Sequence, residues 1–192
     1  MNGVRLWTVV AGAHACTLLA LLLFAAAQGV PSPAPLAWPG AAGMPLAWLF
    51  NALAWVGPGL VVALALWRLR ARMPGAGLGG GIALRLGLLA ALAFAGQGVW
   101  PLDPTALDGG ASRLHAAAWM LWLLAFGAGA VLSGVAVPAV RWPALPICAA
   151  CLLSPLLLGP IVGPRVVLGA WWAWTLLLVV RLPDIDKTGS QS

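Results

Sequence analysis

Six stretches of the chain are almost free of charge: residues 5–27, 45–68, 82–101, 114–138, 143–161 and 165–181. Apolar runs of this length are read as membrane-crossing helices, because ~20 residues rising ~1.5 Å each cover ~30 Å of hydrocarbon. Between them lie "GVPSPAPLAWPGAAGMP", "RMPGAGLGGG", "PLDPTALDGGAS", "RWP" and "GPIVGP", whose Gly and Pro residues punctuate helices and suit loops. The pattern predicts an all-α, polytopic membrane protein. Residues 1–182 form a single six-helix transmembrane domain, and residues 183–192 form a short polar C-terminal tail. The first run, with Arg5 before it and "AAAQ" near its end, has features of a signal peptide. Five further apolar runs follow, so an uncleaved first span is the expectation. No internal repeat relates the first three spans to the last three.

Composition sharpens the class. The chain is 62% hydrophobic and 7% charged, whereas an ordinary soluble domain is about a quarter charged. No room remains for a separate soluble domain. The net charge of +6 comes from basic residues scattered at the ends of apolar runs, not from the dense soluble stripe that nucleic acid requires. No nucleic-acid partner is expected. Cys16, Cys148 and Cys151 lie within apolar runs and describe no disulfide framework.

Lys and Arg accumulate on the cytoplasmic side of membrane proteins. Arg5, Arg68, Arg70, Arg72, Arg85, Arg141, Arg181 and Lys187 fall on one side of the spans, and Arg113 and Arg165 on the other. Both termini are therefore predicted to be cytoplasmic in a multi-pass protein of the cell inner membrane. Residues 28–44, 102–113 and the turn near Arg165 are predicted to face outward. The arginines of "WRLRARM" form a cytoplasmic basic patch that suits anionic lipid headgroups.

That topology gathers the candidate chemistry. Asn51 in span two, Asp103 at the end of span three, His115 at the start of span four and Arg165 at the start of span six all come to the outer side. Ionisable groups at a membrane edge face one another or a wet cavity. Two readings stay open. In one, Asp103 pairs with Arg165 and His115 bonds Asn51, holding the loops shut. In the other, the group orients a ligand, with residues 96–115 closing the pocket mouth and His115 facing inward toward Asn51 and Asp103.

Eleven of the twelve tryptophans divide into two sets. Trp7, Trp38, Trp48, Trp67, Trp100 and Trp142 lie near span ends and suit an interfacial belt. Trp119, Trp122, Trp171, Trp172 and Trp174 lie deeper and suit packing or the wall of an apolar ligand site. Ala125, Gly129 and Ser133 make a small-residue packing face on span four. His14, Cys16, Cys148 and Cys151 invite a soft-metal reading. However, His14 and Cys16 are two apart and point to opposite helix faces. No metal and no other cofactor is expected.

"WLFNALAWVGPGLVVALAL", "GQGVWPLDP", "RLH" and "GPRVVLGAWWAWTLLLVVRL" resemble, in order and spacing, the bacterial and archaeal family called domain of unknown function nine-nine-eight. That resemblance implies six transmembrane helices and marks Phe50, Asn51, Gly98, Pro101, Asp103, His115 and Arg165, with Trp172 or Trp174 on the last span. It implies no reaction. Trp100 stands where the family usually has Phe, and Pro164 stands where an acid often precedes the Arg. The absence of that acid before Arg165 removes a partner carboxylate or proton acceptor, and a Ser-plus-acid element usual in the first outer loop is also missing.

The expected function is an outward-facing polar pocket that binds a lipid headgroup or small molecule in a binding or transport-type protein. The expected ligand contacts are Asn51, Trp100, Asp103, His115, Arg165 and Trp172, with membrane lipids as partners. An accessory or assembly subunit of a larger membrane complex, in contact with other membrane-protein subunits, is the alternative. An intramembrane hydrolase or transferase with His115 as base is the second alternative, and it lacks a motif-bearing nucleophile. The orientation is testable with reporter fusions. A fusion after residue 75 should report the cytoplasm and one after residue 105 the outside; the reverse result would refute the shared-side placement.

Overall fold

The computed structural model describes residues 3–73 and 77–189. It contains α1 (Gly3–Ala27), a 3₁₀ turn (Trp38–Gly40), α2 (Ala47–Asn51), a π-helical turn (Ala52–Val56), α3 (Gly57–Ala71), α4 (Gly77–Val99) and α5 (Gly110–Ala136). A second 3₁₀ turn (Pro138–Val140), α6 (Arg141–Leu157) and α7 (Gly159–Gly189) follow. No strand occurs among the described residues. Six helical stretches are long and apolar enough to cross a membrane: Leu6–Ala27, Ala47–Ala71, Gly77–Val99, Gly110–Ala136, Pro138–Leu157 and Gly159–Leu182. Part of the tail expected at 183–192 continues α7 to Gly189; its last residues, and the side chains of Arg5 and Lys187, lie outside the described residues.

Three segments expected as loops are helical at least in part. "GPIVGP" begins α7, because Gly159 takes the sharp turn at φ 69° and Pro160 sits in a first turn, where an N–H has no intrahelical partner. "RWP" opens α6 for the same reason. "GLGGG" belongs to α4, since its glycines permit contact with α5: a Cβ on Gly79 would lie 2.4 Å from the Ala136 Cβ. Missing side chains there promote packing more than they weaken the helix.

Sequential helices pack as neighbours, and α7 lies centrally, touching α1, α3, α5 and α6. Trp171 and Trp174 of α7 are fully buried. Trp174 fits a notch made by glycines, since a Cβ on Gly129 would approach its Cη2 to 2.8 Å and one on Gly87 to 3.1 Å. Rings run on through the core as Phe24, Phe50, Trp55, Phe94, Trp122 and Trp171, with successive centroids 5.5, 6.2, 5.1, 5.6 and 6.3 Å apart. Edge-to-face contacts of this kind add to the dispersion that holds helices together in lipid. Trp7, Trp48, Trp67, Trp100 and Trp142 are exposed, as a belt requires.

Polar side chains inside this bundle serve backbone groups. Pro58 offers no N–H to the carbonyls four and five residues before it, those of Ala54 and Leu53. Thr17 Oγ1 of α1 donates to the Ala54 carbonyl at 3.0 Å, the nearer of its two acceptors, and Cys16 Sγ reaches the Leu53 carbonyl at 3.4 Å. The π-helical turn is thus held by the neighbouring span, as freed carbonyls in hydrocarbon demand. His14 turns instead to α7. Thr175 spends its hydroxyl hydrogen on the Trp171 or Trp172 carbonyl, so it accepts from His14 Nε2 at 2.7 Å. Trp172 stacks on the same imidazole with centroids 5.7 Å apart.

At the end of the bundle that holds the long loops, Ala42 N donates to Leu102 O at 2.8 Å, joining the two connections. Gln28 Nε2 donates to the Pro45 carbonyl at 2.8 Å. Asn51 Nδ2 donates to Gly40 O at 2.8 Å, and a Cβ on Gly40 would stand 2.2 Å from Asn51 Oδ1. Gly40 is therefore required for the loop to close over span two.

Thr17→Val should lower stability in mild detergent by about 1–3 kcal/mol, the cost of an unpaired buried carbonyl. Pro58→Ala restores an N–H and should reduce that penalty in a double-mutant cycle; an unchanged penalty would refute this account of the turn. Asn51→Ala should cost about 1–3 kcal/mol through Gly40, whereas Asp103→Asn, at an exposed turn, should change the melting midpoint little.

Candidate ligand cavity beneath the long loops

A cavity of about 350 Å³ lies between the 35–37 segment, the π-helical turn, α4, α5 and the start of α7. Trp55, Trp119, Trp122 and Leu168 give it apolar walls, and Gln97, His115 and Arg165 supply polar groups. Exposed Met120 and half-buried Leu36 lie on its edge.

His115 enters the cavity from the second turn of α5. Its Nδ1 lies 3.0 Å from both the Gln97 and the Trp100 carbonyl oxygens. Carbonyls only accept, so Nδ1 carries the hydrogen, and Nε2 is left as an acceptor when the ring is neutral. The reason for this bond lies in the sequence: Pro101 follows four residues after Gln97 and has no N–H for that carbonyl. His115 thereby closes the C-terminal end of α4 and is itself fixed.

Gln97 is 2% exposed, and its Nε2 has no hydrogen-bond partner. The indole nitrogens of Trp55 and Trp122 are also buried and unpartnered. Three residues that wall one cavity therefore carry N–H donors without an acceptor. A buried polar group left in this state costs about 1–3 kcal/mol.

Arg165 lies in the second turn of α7 at the cavity rim. Its Nη2 donates to the Ser32 carbonyl at 2.8 Å and the Ala34 carbonyl at 3.1 Å, while Nη1 donates to the Ile161 carbonyl. The guanidinium clamps the first long loop onto α7.

The expected Asp103–Arg165 ion pair does not form. Asp103 Oδ1 accepts from Thr105 N at 2.9 Å and Thr105 Oγ1 at 2.7 Å. These bonds, the side-chain one foremost, hold the carboxyl below its usual range. A turn closed within three residues orders less chain than a long-range pair does, and an exposed pair gains little. The expected His115–Asn51 bond is also replaced, His115 serving α4 and Asn51 serving Gly40. His115 does face inward, but toward the carbonyls of Gln97 and Trp100.

Of the six residues expected to contact ligand, the structure brings His115 and Arg165 to one cavity. Asn51, Trp100, Asp103 and Trp172 are held outside its wall. Trp100 contributes its carbonyl to His115 and rests its ring over Gly96, where a Cβ would lie 3.3 Å from Cζ3. Sequence reasoning missed Gln97 and Trp55. A lone amide in "ALAFAGQGVW" was the available signal for the first. Nothing in the sequence separates Trp55 from the packing tryptophans.

Donors outnumber acceptors in this wall, which contains no Ser, Thr, Cys, Asp or Glu. The nearby hydroxyls are occupied: Ser112 Oγ exchanges bonds with the Asp103 backbone at 3.0 and 3.2 Å, and Thr105 serves the Asp103 carboxylate. The arrangement suits recognition of an acceptor-bearing molecule with an apolar body. No family model matches the chain, and comparisons with curated proteins and with solved structures find no match.

Proposed function

We propose that the protein is a binding or transport-type protein of the inner membrane, which holds one amphipathic ligand in the cavity beneath its long loops. The observation that carries this reading is Gln97, a buried amide whose Nε2 has no partner and whose side chain walls the cavity. Asn51 and His14 have protein partners for their buried polar groups, whereas Gln97 Nε2 has none; the other unpartnered amide atom, Gln28 Oε1, lies away from the cavity. A ligand acceptor would satisfy Gln97 Nε2, and the tryptophan walls would cover an apolar body. The lysine and arginine distribution supports an outward-facing mouth. A lipid headgroup or a small molecule with a carbonyl, phosphate or carboxylate fits this chemistry. Hydrolase chemistry finds no support in the wall, which offers a base in His115 but no nucleophile.

The test separates binding from folding. Gln97→Leu removes an amide that costs stability when unpartnered, so the ligand-free variant should melt at or above the wild-type temperature. The same variant should retain less co-purified lipid or small molecule by native mass spectrometry. A variant that melts lower and retains the same ligand would show the amide to be structural and refute the reading.

A further inference from the structure

We infer that the head of the ligand is an oxygen-based anion, a phosphate or carboxylate, and that Arg165 is its charge partner; this rests on the cavity being a ligand site. Arg165 is a half-buried cation whose partners are three neutral carbonyls. Among the described residues no carboxylate lies within ion-pair distance of it. Three of the five guanidinium N–H groups are used by those carbonyls, which leaves two donors. An unbalanced charge at a membrane edge is costly, and a counter-charge from a ligand relieves the cost.

The neutral groups point the same way. Gln97 Nε2 and the indole nitrogens of Trp55 and Trp122 are N–H donors that lack acceptors, and oxyanions accept several such bonds at once. Pro160 places the first turn of α7 on the wall, so the positive end of a helix adds to the field. A quaternary ammonium head would gain cation–π contact with Trp55, Trp119 and Trp122. It would then sit beside the Arg165 charge and leave all three N–H donors unmet. Exposed Met120 at the edge gives an attached chain a route out of the cavity.

The sources of such an anion are a membrane amphiphile and a free anion in solution. Full-length protein in dodecyl maltoside can be titrated with dodecyl phosphate, laurate, dodecanol, dodecyltrimethylammonium and inorganic phosphate, with binding read by thermal shift and native mass spectrometry. Dodecyl phosphate and laurate should bind at least about tenfold tighter than dodecanol, a difference expected from one partly desolvated charge pair. That preference should weaken with added salt. Arg165→Gln should bring the ratio of anion to dodecanol affinity to about one, and Arg165→Lys should keep most of the preference. If Arg165→Gln does not fold, the wild-type probe ratio and its salt dependence decide the matter. Inorganic phosphate binding as tightly as dodecyl phosphate would assign the anion to solution; weaker binding would assign it to a membrane amphiphile. Dodecanol or dodecyltrimethylammonium matching the anions would overturn the inference and leave the cavity a ligand site. No binding of any probe would overturn both.

Discussion

Proline strands carbonyls, and in hydrocarbon no water arrives to pair them. Two of the contacts that order this bundle answer such groups. Pro58 frees carbonyls in span two, and Thr17 and Cys16 of α1 bond them. Pro101 leaves the Gln97 carbonyl open at the end of α4, and His115 of α5 bonds it. Each answer comes from a different helix, so local defects in secondary structure become directional links between spans. Apolar packing in lipid lacks that directionality, because lipid tails compete equally for the same surfaces.

Such links require helices close enough for short side chains to bridge them, and glycine supplies the approach. A Cβ on Gly59 would lie 2.7 Å from Ala95 N, and one on Gly98 would lie 2.8 Å from Asn51 O. Span two and α4 therefore meet backbone to backbone at both places. The chain of rings from Phe24 to Trp171 fills the space beside these contacts. Where Trp55 and Trp122 leave that chain to face Trp119 and Leu168, the cavity begins. Close packing on one side and a void on the other arise from the same set of rings.

The spans were legible because a run of ~20 apolar residues has few alternatives to a membrane helix. Their ends were less legible. Gly and Pro read as loop signals in "GPIVGP" and "GLGGG", yet a first turn tolerates Pro160 and an interhelical contact favours Gly79. The sidedness of His115 and Arg165 followed from alternation of the spans, which places them at one end whatever they bond. Their partners did not follow, because hydrogen-bond choice depends on which carbonyls proline frees and on which turns close locally. Asp103 illustrates the second point. Thr105, two residues away, takes a carboxylate that charge complementarity alone would give to Arg165.

Unpartnered indole nitrogens do not by themselves mark a site, since Trp172 and Trp174 carry them away from the cavity wall. A tryptophan buries so much apolar surface that one unmet N–H is outweighed. Gln97 has no such compensation: its side chain is short, its head is an amide, and leucine would fit the same apolar run. Its placement beside Trp55, Trp122 and a cation without a carboxylate turns separate deficits into one complementary surface. A cavity of about 350 Å³ has ample room for ordered water. Water leaves the charge of Arg165 unneutralised, however, and it gains nothing from Trp119 and Leu168. An amphiphile with an oxyanion head, the ligand proposed for this cavity, would answer the charge and the apolar walls together.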